Sequence, residues 1–461
     1  MLAILPTTLR LLLGSLLWTN EPHHPLQQDP PQMSFQLRHQ HAVTNSSRVI
    51  FSDIHDSDLV AHSLASSDPY VYTLRTSRLT THKPSSLSAF HDARLRSIHH
   101  AQSDAALWEG IEVAGPNVTD RETLLALAKM TNNAYLAGRD SGWYDVSGFN
   151  NSIPVGWEPS ADGLRGHIFV SSDNTTVILS IKGTSAGWIT GGGGPTVRKD
   201  KLNDNLMFSC CCARVGPTWS TVCGCYKGSG KCSNSCVEAS LLDEELFYSI
   251  GLNLYNNITY MYPHANIWIT GHSLGGSVSS LLGATFGGPV VAFEAPAEKL
   301  AATRLHLPSP PSTQHITHII HTADPIAMGT CNGVTSTCSL AGYAMETRCH
   351  LGQVALYDVV SKLGWSVDIR THSIVNVIER LLAQELEWDD EPLEDDDTTG
   401  GGDVRAGELL HNLGWGWWGG KGNGDDKDKD KDKTVRRPVP VAKPEVDCVD
   451  CFNWEFGEWD D

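Results

Sequence analysis

The sequence predicts an α/β fold built on a mostly parallel central sheet. Two observations carry that reading. Beyond residue 262, short apolar runs alternate with helical patterns. Ile267–Thr270, Val290–Phe293 and His315–His321 read as buried strands, a helix starts at Ser277–Ala284, and Val354–Leu363 and Ile374–Leu386 read as helices. Strands that alternate with helices pair in parallel, because each crossover brings the chain back to the same end of the sheet. The second observation is bulk. The chain has 461 residues at 40% hydrophobic, enough to bury one large domain with extras or two ordinary ones, and this rules out wholesale disorder.

Upstream, residues 21–105 are rich in Ser, His, Pro and Gln and read as a stalk with short strands such as Tyr70–Arg75. Leu124–Gly138 has helical periodicity. Gly166–Val170 and Thr176–Lys182 are β-rich runs joined by a turn over Ser171–Asn174. Gly183–Gly194 is Gly-rich, and a Cys-rich insert occupies about 185–236 inside a catalytic domain expected at 106–387. Cys236–Tyr262 reads as one long helix broken at Gly251. Residues 388–461 form a low-complexity tail that holds Glu394-Asp395-Asp396-Asp397, Trp415-Gly416-Trp417-Trp418 and alternating Asp and Lys. Such composition cannot build a core and is expected to be disordered.

The charge excludes one class of partner. With 53 acids against 34 bases the formal charge is −19, so clustered cations for nucleic-acid phosphates are lacking. From Asp389 to Asp461 there are 21 acids and 9 bases, so the tail holds −12 and the rest only −7. The 20 histidines, if all were protonated, would bring the chain to +1, so compartment pH matters. The N-terminus points to secretory entry. Leu11–Trp18 is almost wholly apolar, with Pro6 and Arg10 before it. A cleaved signal peptide and a signal anchor over residues 1–20 both fit, and the lack of an A-x-A-like cleavage site favours the anchor. N-x-S/T sequons at Asn45, Asn117, Asn150, Asn174 and Asn257 agree with a glycosylated luminal protein. Seven of the 12 cysteines lie between Cys210 and Cys236, without a histidine among them and at irregular spacing. That reads as disulfides in an oxidising lumen rather than a zinc site, and no pairing follows from the spacing.

The chemical centre is Gly271-His272-Ser273-Leu274-Gly275-Gly276, a G-x-S-x-G run between a strand and a helix. A nucleophile elbow there strains its serine and exposes the hydroxyl, and glycines let neighbouring chain pass close by. A serine needs a base oriented by a third group. In the α/β-hydrolase fold the order is Ser, acid, His. Asp324, in His321-Thr322-Ala323-Asp324-Pro325 just past a strand, suits the acid. His372, on a loop before a helix, is preferred as base over His350 beside Cys349 and over His411 in the tail. The oxyanion donors are then the backbone N–H of Leu274 and a donor at Thr184, past the strand that ends in Ile181-Lys182-Gly183. No metal or cofactor is called for.

These residues resemble a family. Ile181-Lys182-Gly183-Thr184, the Gly-His-Ser-Leu-Gly-Gly run, Phe293-Glu294-Ala295-Pro296 and His321–Pro325 together are similar to the class 3 lipases. The strings Arg198–Val215 and Val367–Ile374 are similar to the fungal autophagy-related vacuolar lipases among them. The resemblance spans about Trp108–Leu386 and the N-terminal anchor. It implies an α/β-hydrolase that acts on phospholipids and neutral lipids, with Ser273, Asp324 and His372 as triad. It also implies a type II membrane glycoprotein, delivered through endoplasmic reticulum, Golgi and multivesicular bodies to the vacuole, where it degrades autophagic bodies and intravacuolar vesicles. Two rival readings remain at this point. One is a soluble luminal esterase or acyltransferase with the same triad. The other is a non-enzymatic adhesion or receptor glycoprotein that works through its tail.

Overall fold

The computed structural model describes residues 35–43, 49–53, 74–100, 107–136, 141–144, 163–171, 173–185, 196–213, 221–242, 246–390 and 435–458. Its strands, in chain order, are β1 (Phe35–Val43), β2 (Val49–Asp53), β3 (Thr76–Pro84), β4 (Trp108–Pro116), β5 (Arg165–Ser171), β6 (Thr176–Ile181), β7 (Tyr226–Gly228), β8 (Lys231–Ser233), β9 (Asn266–His272), β10 (Val290–Phe293), β11 (Ile316–His321), β12 (Gln353–Tyr357), β13 (Trp388–Asp390), β14 (Val435–Arg437) and β15 (Glu455–Gly457). The central sheet has the order β12-β11-β10-β9-β6-β5-β1-β2. Its first five strands pair in parallel and the other three antiparallel, so the sheet is mixed with a parallel majority.

Period-two alternation sorts the strand residues into two cores. Ile168, Val170, Val177, Leu179, Ile181, Ile267 and Ile269 face helices Phe247–Met261 and Leu274–Phe286. Phe169, Ile178, Trp268, Val291, Phe293 and Ile319 face helix Arg121–Asn133 and residues Val377–Leu382. With both faces covered, these strands read as unbroken apolar runs in the sequence. Each large side chain so buried stabilises the fold by about 1.5–3 kcal/mol. Trp268 also donates Nε1–H to Ala114 O at 2.8 Å, which ties β9 to the antiparallel β3–β4 pair.

Several elements differ from the sequence expectation. The stalk expected over 21–105 contributes β1 and β2 to the central sheet, through the antiparallel pairing of β1 with β5. Polar FQLRHQHAV carries no apolar run to announce it. Residues 74 and 75 are not strand; β3 begins at Thr76 and pairs with β4 along its whole length, with helix Leu87–His100 between. Val354–Leu363 is not one helix. Residues 353–357 form an edge strand hydrogen-bonded to β11, and a helix follows only at Val359–Leu363. Gly251 does not break its helix, which runs on from Phe247 to Met261. A Cβ there would lie 3.0 Å from Leu282 Cδ1, so the glycine serves close helix packing instead. The chain after Ser373 is a short helix, Ile374–Asn376, that widens into a π-helix over Val377–Leu382.

The tail expected to be disordered is structured over 435–458. Strand β14 pairs with β13, β15 pairs with β8, and Lys443 exchanges backbone hydrogen bonds of 2.8 and 3.0 Å with Val354 on the sheet edge. All 12 cysteines form disulfides: 210–451, 211–232, 212–223, 225–236, 331–338 and 349–448. Two of them hold the tail to the catalytic unit, which is what the low-complexity reading missed. The expected N-terminal anchor, Asn45, Asn150, His411 and the Trp415–Trp418 patch lie outside the described residues. Among the described residues no helix is long and apolar enough to cross a membrane.

Candidate active site

The parallel strands carry Ser273, Asp324 and Thr184 just past their C-terminal ends, where α/β sheets bind ligands, and a loop after β12 brings His372 there. Ser273 caps β9 with φ 56° and ψ −132°, a conformation that costs an L residue energy and turns its side chain out of the sheet. The flanking glycines make the turn fit. A Cβ on Gly271 would lie 2.4 Å from the Gly275 backbone, and one on Gly275 would lie 2.3 Å from Ile181 O. Ser273 N–H donates to Phe293 O at 3.0 Å, which fixes the elbow against β10.

Asp324 stands in the turn after β11, wholly buried, and its Oδ1 accepts the Ile326 N–H at 2.9 Å. His372 closes a short 3-10 turn, Ile369–His372, whose cap Asp368 accepts Arg370 N–H at 2.8 Å. Thr371 Oγ1 donates to Ala323 O at 2.8 Å and so pins the His372 loop to the Asp324 turn. The result is a continuous chain: Ser273 Oγ donates to His372 Nε2 at 2.8 Å, and His372 Nδ1–H donates to Asp324 Oδ2 at 2.6 Å. Burial alone would raise the Asp324 carboxyl. The charge and hydrogen bond of His372 and a bond from Glu294 outweigh it, and the group falls to about 2. Asp324 is therefore ionised, as an imidazole-orienting acid must be.

His272, the second residue of the elbow run, has a defined tautomer. Its Nε2 lies 2.7 Å from His372 O, and a carbonyl only accepts, so Nε2 carries the proton. Nδ1 is then left to accept the Tyr135 O–H at 2.7 Å. Burial, followed by the His372 charge, lowers His272 to about 3, so the ring stays neutral. It props the His372 backbone from below.

Thr184 lies past the end of β6, and Gly183 brings it against the elbow. A Cβ on Gly183 would lie 2.2 Å from His272 O and 3.0 Å from Ser273 Cβ. Thr184 Oγ1 donates to Asp204 Oδ2 at 2.6 Å, which leaves its backbone N–H as the group to offer an oxyanion. Leu274 is the first residue of its helix, so its N–H is one of the donors a helix leaves unpaired. Asp204, on helix Val197–Met207, is raised to about 8 by burial and then by neighbouring Asp200, against the Thr184 bond.

His350 is elsewhere. Its Nδ1 faces Glu445 at 3.2 Å and its Nε2 donates to Ala295 O at 3.1 Å, beside the Cys349–Cys448 disulfide. Of the sequons in the described residues, Asn174 and Asn257 are exposed and Asn117 is half-buried. Sequence reasoning missed Tyr135, Asp200 and Asp204 as neighbours of the site. The available clue was two acids four apart in the conspicuous Arg198–Val215 string, one helical turn from each other.

The class 3 lipase profile matches residues 226–330. A protein of Cryptococcus neoformans var. neoformans serotype D named "Putative lipase ATG15" is 50% identical over 374 residues, which cover 76% of this chain and 70% of that protein. This chain belongs to the ATG15 lipase family. Another ATG15 lipase, of Mycosarcoma maydis, is 44% identical over 403 residues and covers 84% of this chain and 77% of that protein. Among solved structures, a triacylglycerol lipase from Penicillium expansum aligns at 16% identity with a TM-score of 0.28. It covers 52% of this chain and 82% of that chain, a superposition too loose to bear on chemistry. Membership of the ATG15 lipases makes the chain an ester hydrolase that acts on lipids. It sets aside the non-enzymatic reading.

Proposed function

We propose that this lipase hydrolyses carboxylic esters of membrane phospholipids and neutral lipids through Ser273, His372 and Asp324. The observation that supports it most is the hydrogen-bonded chain from Ser273 Oγ through His372 to Asp324. Ser273 Oγ attacks the ester carbonyl and passes its proton to His372 Nε2, while ionised Asp324 stabilises the imidazolium through Nδ1–H. Backbone N–H groups of Leu274 and Thr184 receive the oxyanion. His372 returns the proton to the leaving alcohol. A water, deprotonated by the same imidazole, then releases the fatty acid.

The wider role is a proposal of the same kind. The luminal features are six disulfides and exposed sequons at Asn174 and Asn257. They support a glycosylated lumenal lipase, held by an N-terminal signal anchor as a type II membrane protein. It would travel through endoplasmic reticulum, Golgi and multivesicular bodies to break down autophagic bodies and vesicle membranes in the vacuole. Oxidising compartments favour such disulfides. In the test, Ser273→Ala and wild type are secreted, checked for intact disulfides, and compared on phospholipid liposomes, emulsified triacylglycerol and short esters. The variant should lose about 10⁴-fold or more in kcat on every ester that the wild type cleaves. Near-normal hydrolysis by the folded variant would sink the triad. Activity of the wild type on short esters alone would favour a soluble esterase.

A further inference from the structure

Behind the triad lies a carboxyl group that the mechanism above does not use. Glu294 follows β10 in Phe293-Glu294-Ala295-Pro296 and is wholly buried, with φ 42°, a backbone angle that few residues other than glycine adopt. Its N–H is fixed by Ile319 O at 3.0 Å, and its carboxyl lies beside that of Asp324. Two buried carboxylates side by side repel each other unless one of them holds a proton.

The surroundings decide which. Asp324 already accepts His372 Nδ1–H at 2.6 Å and Ile326 N–H at 2.9 Å, two donors that favour its charged form. Glu294 has only the His321 N–H, at 3.4 Å from Oε2, and its Oε1 accepts no hydrogen bond from the described groups. A buried carboxylate oxygen without a donor is costly, and protonation removes the charge and turns the group into a donor. The other titratable groups that face the pair are His321, His272 and His372. The His321 ring lies 3.7 Å from Oε1, but its Nε2–H is given to Thr371 O at 3.2 Å. Burial lowers His321, and it lowers His272 to about 3, so neither brings a positive charge to ionise Glu294.

We propose that Glu294 is a neutral carboxylic acid that donates its O–H to Asp324 and thereby positions the acid of the triad. Burial, and then the charge of Asp324, raises Glu294 well above the usual carboxyl range, which agrees. The donated bond holds the Asp324 carboxylate in the plane that presents Oδ2 to His372. It also spreads the Asp324 charge, which sets how strongly the imidazolium is favoured. The inference rests on Asp324 being the triad acid.

The experiment is the pH profile of kcat and KM on p-nitrophenyl butyrate for the full chain and for E294L, E294Q and Ser273→Ala. E294L has no donor and is expected to lose about 10- to 100-fold in kcat, the size of one hydrogen bond to a charged group, with KM unchanged. Its acid limb moves up, because Asp324 then keeps its charge concentrated on His372. In E294Q an amide donates the same bond and carries no charge, so it restores most of that loss and leaves the acid limb in place. If Glu294 were ionised instead, E294Q would remove a negative charge beside the imidazole and drop the acid limb by about 1 unit or more; that result overturns the proposal. Wild-type kcat in E294L overturns it too. Should E294L fail to fold, the E294Q profile decides alone. The Ser273→Ala control keeps the two readings apart. Residual activity there removes the triad itself, whereas an inactive Ser273→Ala with a displaced E294Q limb removes only the role of Glu294.

Discussion

Lys182 Nζ is buried, and its three N–H donors are shared among four acceptors: Gly183 O at 2.7 Å, Ser185 Oγ at 2.9 Å, Thr196 Oγ1 at 3.0 Å and Asp200 Oδ2 at 3.0 Å. Burial lowers its pKa, and the Asp200 charge works the other way. An ammonium survives out of water only with such partners, and here they hold the Gly183–Ser185 turn that presents Thr184 to the elbow. Replacing Lys182 leaves Asp200 buried without its counter-charge. Lys182→Met is therefore expected to cost about 3–5 kcal/mol in urea unfolding, more than a swap of similar volume would. A variant as stable as wild type would show that the pair contributes nothing. Thr184 could be placed from sequence because a donor must follow an upstream strand. Its partner Asp204 could not, because the bond crosses 20 residues and depends on where a helix docks.

At the scale of elements, the sequence was readable where periodicity and burial agree. Helix Arg121–Asn133, strands β5, β6, β9, β10 and β11, and the elbow between β9 and its helix fall close to their expected places, since both faces of the sheet are covered. It was unreadable where pairing comes from far away. The β12 run Val354–Tyr357 joins a helix-like stretch in sequence, and only its neighbour β11 makes it a strand. Strand β1 is polar, and β14 and β15 are three residues each, so nothing local announces them. The C-terminal segment is held by Cys349–Cys448 and Cys210–Cys451, by Asp450 Oδ1 accepting Arg348 N–H at 2.7 Å, and by Glu458 accepting Ser235 Oγ–H at 2.7 Å. A consequence can be checked on a gel. A chain cut at a protease site engineered within 391–434 should run as one species without reductant and as two with it. Two species before reduction would contradict both bridges.

For the whole molecule, the formal swing from −19 to +1 on protonating 20 histidines overstates what the folded chain can do. Burial lowers His167 to about 4 and His272 to about 3, and it lowers His315 and His321 as well. Their folded pKa values lie below the unfolded value of about 6.5, so their stabilisation is present above that pH and is lost as pH falls through the folded values. Two carboxyls act in the opposite sense. Asp204, raised to about 8 by burial first, and Glu294, raised by burial and then by Asp324, keep protons that the unfolded chain releases. Their stabilisation is full below the unfolded values of about 4 and is lost as pH rises through the folded ones. Between about pH 5 and 7 the two sets oppose each other. Asp204→Asn tests this balance, because the amide still accepts the Thr184 hydroxyl but has no proton to lose. Its melting temperature relative to wild type should fall as pH is taken from about 7 to about 5, a change of up to about 2–3 kcal/mol, since only the wild type gains there. Any constant cost of the substitution cancels in that comparison. A difference that stays level across the range would mean that Asp204 is ionised throughout, with Lys182 as its counter-charge.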